Sequence, residues 1–219
     1  TPSGTPLEGR YARLEKLDAE RHAALLFRAF EGQDQVWHHL PYGPFHSAAQ
    51  YHRWVKEVSA GSDPLFYALQ DRVSGQFGGV ASLMRITPAM GGIELGHINL
   101  SPSLQHSRAA TEAFVLLLNW AFATGYRRFE WKCDAANLAS RRAAQRLGLS
   151  FEGVFRQHMI VKGRNRDTVW FAATDQDWPA LQEAYAAWLT PENFDAEGQQ
   201  KERLSDLTRL VGISPDPAL

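Results

Sequence analysis

Two turns that each open a helix place the strongest constraint on this 219-residue chain. The first, Ser101 to Arg108, is polar and runs into an apolar stretch that begins near Ala109. The second, Cys133 to Ser140, contains Asp134, Asn137 and Ser140 and again precedes a helical pattern. Across Glu94 to Trp170 the reading is strand, loop, helix, strand, loop, helix. Such a crossover makes its strands parallel and is right-handed. It sets both helix N-termini on one side of a sheet. Their unpaired N–H groups and positive dipole ends suit an anion, so the expected ligand carries phosphate.

Antiparallel hairpins flank that crossover. Arg10 to Leu17 alternates as a strand, and Asp18 caps a helix over Ala19 to Phe30. The segment DQVWHHLPYGPFHS has no period, and Ser47 caps a helix from Ala48 to Ala60. Leu65 to Asp71 and Gln76 to Ile86 form a hairpin, and Ile93 to Leu100 is a third strand. In a regular strand Glu94, Gly96 and Ile98 share one face, with His97 on the other. Thr111 to Thr124 is apolar nearly all round and so is a buried helix that stops at Gly125. Tyr126 to Cys133 alternates as a strand. Asn137 caps a helix ending at Gly148. Phe151 to Val161 and Thr168 to Thr174 are strands around the basic turn KGRNRD, and Pro179 to Trp188 is a helix.

Composition removes several classes. One cysteine, Cys133, allows no intrachain disulfide and no cysteine-based zinc cluster, and reads as a small buried residue. His38, His39, His46 and His52 match no zinc spacing, so no metal is expected. The net charge of −1 points to no nucleic acid, and no apolar run is long enough for a membrane span. The start TPSGTPLEG lacks a signal-peptide pattern, and the single thiol fits a reducing, cytoplasmic setting. Charge is nevertheless uneven: Ser101 to Trp170 holds eleven basic and five acidic residues. That excess is either solvated surface or a basin for an anionic ligand. No G-x-G-x-x-G or Walker sequence occurs.

The ordered set of ATEA (Ala110 to Ala113), the run LNWAFATGYRRFEWKCDAANLASRRAAQRLGLSFEGVFR and KGRNRDTVWF resembles the GNAT superfamily of acyl-CoA-dependent N-acyltransferases. The likeness is nearest to its ribosomal-protein N-terminal acetyltransferase-like branch. It implies an α+β fold: a mixed, mostly antiparallel sheet with a central parallel βαβ unit and flanking helices. The implied organisation is a flexible leader over residues 1–8, an acyltransferase domain over 9–178 and a C-terminal helical tail over 179–219. The tail reads as docked or as an oligomer arm, which leaves a homodimer open.

The resemblance also implies a site. The family's pyrophosphate loop, Q/R-x-x-G-x-G/A, aligns with Gln105, His106, Ser107, Arg108, Ala109 and Ala110. Arg108 stands where the pattern has its first glycine. Its side chain either contacts phosphate or points to solvent. The end of the central strand, at Leu100, is implied to bind pantetheine through backbone. Ser140, in the N-x-x-S pattern from Asn137, is implied to stand beside the leaving sulfur; helix capping is the structural reading of both. Glu94 is the general-base candidate, acting through water, against a plain ion pair. Glu112 is expected to serve its own helix dipole. Trp37, Tyr42 and Phe45 read as a mobile wall over the acceptor or as a packed connection. The implied activity is acetyl transfer from acetyl-CoA to a primary amine, on a small molecule or a protein N-terminus, by direct attack in a ternary complex. The alternative is a non-catalytic acyl-CoA-binding module.

Overall fold

A computed structural model describes residues 1–219. Its strands are β1 (Leu7–Glu8), β2 (Ala12–Lys16), β3 (Leu65–Asp71), β4 (Phe77–Thr87), β5 (Gly92–Leu100), β6 (Arg128–Asp134), β7 (Ser150–Val161) and β8 (Arg164–Thr174). Its helices are α1 (Ala19–Phe30), α2 (Ala48–Ser59), α3 (Arg108–Ala123), α4 (Leu138–Arg146), α5 (Trp178–Trp188) and α6 (Leu204–Thr208). The strand order is β1-β2-β3-β4-β5-β6-β8-β7, mostly antiparallel with one parallel pair. This is the mixed fold that the sequence implies. Two compact units make up the chain: Thr1–Pro88 with Leu95–Leu118, and Ala89–Glu94 with Asn119–Leu219.

In the first unit, α1 and α2 begin at side-chain caps. Asp18 Oδ1 accepts from Arg21 N–H at 2.8 Å, and Ser47 Oγ accepts from Gln50 N–H at 3.2 Å. Their apolar faces join β3 and β4 in one core that includes Leu26, Phe30, Trp37, Tyr51, Val55 and Phe66. Trp37 sits in a short 3-10 turn, is buried, and meets Phe30 and Phe45 edge-on at 5.2 Å. The segment between α1 and α2 is therefore packed and not a mobile wall, because Trp37 is part of the core. Gly43 keeps that packing possible: it has φ 68°, and a Cβ there would lie 2.6 Å from the Trp37 ring.

Leu7–Glu8 pairs antiparallel with Leu14 and Arg13, so the expected flexible leader ends in a strand. Two residues are too few to show a period. The next turn is fixed by Glu112 of α3. Its buried carboxylate accepts the backbone N–H groups of Arg10, Tyr11 and Ala12 at 3.0, 2.5 and 2.6 Å. Gly9 has no side chain because that carboxylate fills the space: a Cβ would lie 2.4 Å from Glu112 Cδ.

In the second unit, β6 alternates strictly. Phe129, Trp131 and Cys133 are buried, while Arg128, Glu130, Lys132 and Asp134 face the other side. β6 pairs with β8, and β8 pairs with the edge strand β7. The basic turn between β7 and β8 is tighter than its sequence suggests. Lys162 and Gly163 have φ 49° and 74°, the left-handed pair of a two-residue hairpin, so RNRD (Arg164 to Asp167) belongs to β8. The C-terminal segment docks on this unit. Arg141 holds Asp216 through two bonds of 2.7 and 2.6 Å, with both residues buried. Phe151 N–H donates to Ser214 O at 2.8 Å, and Thr208 Oγ1 donates to Arg146 O at 2.9 Å.

Two tests address this frame. Glu112→Ala strands three N–H donors, two of them buried, so unfolding free energy should fall by roughly 3 kcal/mol, measured by denaturant titration. An unchanged midpoint would remove Glu112 as the strut. His22 is fully buried, accepts Asp18 N–H at Nδ1 (3.0 Å) and donates from Nε2 to Glu15 at 3.2 Å. Burial holds its pKa below the ordinary 6.5, outweighing the attraction of Glu15. A folded pKa below the unfolded one gives stability that is complete above pH 6.5 and declines as the pH falls below it. Thermal melts at pH 7.5 and 5.0 should therefore differ less in His22→Gln than in wild type; equal differences would contradict the assignment.

Candidate active site

In the first unit the 101–107 turn closes on itself. Leu104 and Gln105 N–H donate to Ser101 O at 2.9 and 3.0 Å, and Ser107 N–H donates to Leu104 O at 3.3 Å. Gly78 and Gly79 of β4 make room for it. A Cβ on Gly78 would lie 2.7 Å from Ser101 Oγ, and one on Gly79 would lie 2.8 Å from Leu104. The Gln105 side chain donates to Leu100 O at 2.9 Å, so these two expected cofactor residues are tied to each other. His106 is exposed and carries the left-handed backbone at φ 57°. Ser107 caps α3, its Oγ accepting Ala110 N–H at 3.0 Å and donating to Leu104 O at 2.7 Å.

Arg108, Ala109 and Ala110 form the first turn of α3. Arg108 thus needs no glycine-like conformation: the left-handed residue lies two positions earlier, at His106. The Arg108 guanidinium stacks over the Tyr11 ring at 4.3 Å. Ala109 and Ala110 are buried. On β5, just before Leu100, Asn99 is buried and its Nδ2 has no hydrogen-bond partner in the protein. A ligand carbonyl would satisfy that donor. Sequence reading missed Asn99, since an asparagine in a strand carries no signal of being unpaired.

His97 departs from the expected alternation. Its φ of 52° breaks the regular strand, so the simple assignment of opposite faces to Glu94 and His97 fails there. Within the first unit the His97 ring stacks on Tyr42 at 5.6 Å and lies 5.0 Å from Phe66. The Tyr42 hydroxyl is 2.9 Å from His97 Nδ1. Burial raises the Tyr42 pKa well above its usual value, so the phenol keeps its proton.

In the second unit Asn137 caps α4, its Oδ1 accepting Ser140 N–H at 3.1 Å. Both roles expected of it are compatible, because capping uses the carboxamide oxygen and leaves the nitrogen end to a ligand. Ser140 Oγ accepts from Trp131 Nε1 at 2.9 Å. That bond fills an acceptor position, and the hydroxyl also lies in hydrogen-bond reach of the Cys133 sulfur. Cys133 is buried beside Ser140. Burial pushes its thiol up to about 11, against a weaker opposing hydrogen bond from Ser140, so it stays a protonated, inert neighbour.

Glu94 is buried and pairs with Lys132, Oε2 to Nζ 2.9 Å. Lys132 also reaches Glu130 at 2.8 Å and lies 3.7 Å over the Trp170 ring. Glu94 therefore meets the even-numbered face of β6, whereas Ser140 meets Trp131 on the odd-numbered face. The structure does not bring these two candidate catalytic residues into contact. Lys132 was missed by sequence reading as a site residue; its alternation with Trp131 was the one available signal. No three or more His, Cys, Asp or Glu side chains are grouped to hold a metal, and no helix is long and apolar enough to cross a membrane.

A family model described as "Acetyltransferase (GNAT) domain" matches residues 12–150. No curated protein matches the chain. Among solved structures, a GCN5-related N-acetyltransferase from Brucella melitensis is 48% identical with a TM-score of 0.92, over 95% of this chain and 96% of that one. A probable GNAT-family acetyltransferase from Chromobacterium violaceum is 46% identical with a TM-score of 0.77, over 82% and 90% of the two chains. The acetyltransferase of Salmonella typhimurium that modifies the N-terminal serine of ribosomal protein L7/L12 shares the fold at 20% identity, with a TM-score of 0.66 over 76% and 96%. The extent of the family match and the identity to the Brucella structure together place this chain in the GNAT family of acetyl-CoA-dependent N-acetyltransferases.

Proposed function

We propose that this enzyme transfers the acetyl group of acetyl-CoA to a primary amine by direct attack in a ternary complex. The observation that carries the reading is Ser140: its N–H is held by Asn137 and its oxygen accepts from Trp131, so its hydroxyl is fixed in place. The family match and 48% identity to an N-acetyltransferase favour an enzyme over a non-catalytic binding module. The acceptor is an α-amino group of a protein or peptide, or a small-molecule amine. The Salmonella protein's action on a ribosomal protein N-terminus supports the first at the level of fold alone.

The chemistry asks two things of the chain. The acceptor arrives largely as an ammonium, because α-amino groups have pKa values of about 7.7–8.0 and lysines about 10.4. One proton must leave before attack. Glu94 takes it, through water, and passes it to solvent. The amine nitrogen then bonds to the thioester carbon and the C–S bond breaks. Ser140 donates a hydrogen bond to the departing sulfur, and the second amine proton ends there as the thiol. In the first unit, the 105–110 turn with Arg108 takes the pyrophosphate. Leu100 and Asn99 take pantetheine amides. In the second unit, the nitrogen of Asn137 is left to a ligand carbonyl.

Calorimetry with acetyl-CoA tests binding, and thiol release across a panel of peptides and small amines tests transfer. No heat of binding would end the reading; binding without thiol release on any amine would restore the non-catalytic alternative. Ser140→Ala should lower kcat by about tenfold or more while the Kd for acetyl-CoA moves by less than about twofold. Wild-type turnover would reject the serine's role. Glu94→Gln should slow the reaction most at low pH, where the acceptor is most protonated. A wild-type rate at every pH would reject Glu94 as the base.

A further inference from the structure

The charged side chains around Glu94 form one line across three strands. Glu94 of β5 meets Lys132 of β6 at 2.9 Å, and Lys132 meets Glu130 of β6 at 2.8 Å. Glu130 meets Arg128 at 2.9 Å, and Arg128 meets Glu152 of β7 at 2.6 Å. Signs alternate along the line, from negative at Glu94 to negative at Glu152. Exposure rises in the same direction, from 6% and 5% for the Glu94 and Lys132 side chains to 19% for Glu130 and 37% for Glu152.

The buried end cannot be a surface accident. Removing an ammonium and two carboxylates from water costs several kcal/mol per ion unless each is paired. Lys132 is paired three ways: with Glu94, with Glu130, and with the Trp170 face at 3.7 Å, where β6–β8 register sets Lys132 directly opposite Trp170. An isolated buried carboxylate would take up a proton and lose its use as a base. An ammonium at 2.9 Å prevents that and fixes the rotamer of the carboxylate.

We infer that Lys132 is the positioning residue of the acetyl-transfer reaction: it keeps Glu94 ionised and oriented. This rests on the proposed role of Glu94 as base. It assigns Lys132 no contact with the reacting atoms. The remainder of the line, Glu130, Arg128 and Glu152, carries the compensating charge outward to solvent.

The test compares Lys132→Met, the double variant Lys132→Met/Glu130→Gln, Lys132→Arg and Glu94→Gln. Each is assayed for kcat and for the amine KM at saturating acetyl-CoA, and for Tm. Lys132→Met should lower kcat by about tenfold or more, in line with losing a working base, and should lower Tm. The double variant also removes the second carboxylate that Lys132 pairs but leaves Glu94 without its ammonium, so kcat should stay low whatever Tm does. Recovery of kcat together with Tm would overturn the positioning role and leave Lys132 a structural counter-ion. Lys132→Arg keeps a cation that can stack on Trp170 and should stay within about threefold of wild-type kcat. A loss as deep as that of the neutral variants would also overturn the inference, and this arm remains decisive where those variants fail to fold. Wild-type kcat in Glu94→Gln would remove the base reading itself, an outcome distinct from a failure of Lys132 alone.

Discussion

The strict alternation of β6 is the constraint on which the second unit depends. Period-two geometry sends Phe129, Trp131 and Cys133 into the core and Arg128, Glu130 and Lys132 to the other side. The two faces then have opposite chemistry. On the apolar face Trp131 spends its one N–H on Ser140, and the α4 cap holds that serine by its backbone. On the polar face a lysine holds a buried carboxylate. A one-residue slip of β6 would exchange the two environments and destroy both. The strand's pairing with β8 from Arg128↔Thr174 to Asp134↔Thr168, without a bulge, resists such a slip.

The first unit solves a different problem, that of holding an irregular turn rigidly. Glycines at 78 and 79 let the turn lie against β4, and Glu112 binds the chain that enters β2. Tyr11, fixed by that carboxylate, carries the Arg108 guanidinium on its ring. The loop therefore departs from its family pattern in sequence without needing strain at the departure. Position 108 is already helical, and the left-handed residue of the turn is His106.

Local chemistry made much of this legible. α1 and β3 have the limits expected from their caps, turns and periods, because those signals lie within a few residues. What escaped were pairings between distant residues. Glu94 and Lys132 are 38 positions apart, and Arg141 and Asp216 are 75 apart, so neither the ion pair nor the docked tail has a local signature. Backbone irregularity escaped as well. Lys162 and His97 both take φ near 50°, which their side chains do not favour, so the two-residue hairpin and the break in β5 had no marker comparable to Asn-Gly. The candidate site residues divide in the same way. The N-x-x-S pattern of the resemblance points to Ser140 and Asn137, while Lys132 and Asn99 required the fold.

The central claim is that Ser140 attends the departing sulfur. The measurement that bears on it most directly is the dependence of kcat/KM on the acidity of the leaving thiol, across acetyl-CoA and analogues altered next to the sulfur. With a hydrogen bond from Ser140, the wild-type enzyme should be only weakly sensitive to thiol pKa, whereas Ser140→Ala should slow steeply as the thiol becomes less acidic. Equal sensitivity in the two enzymes would contradict the account.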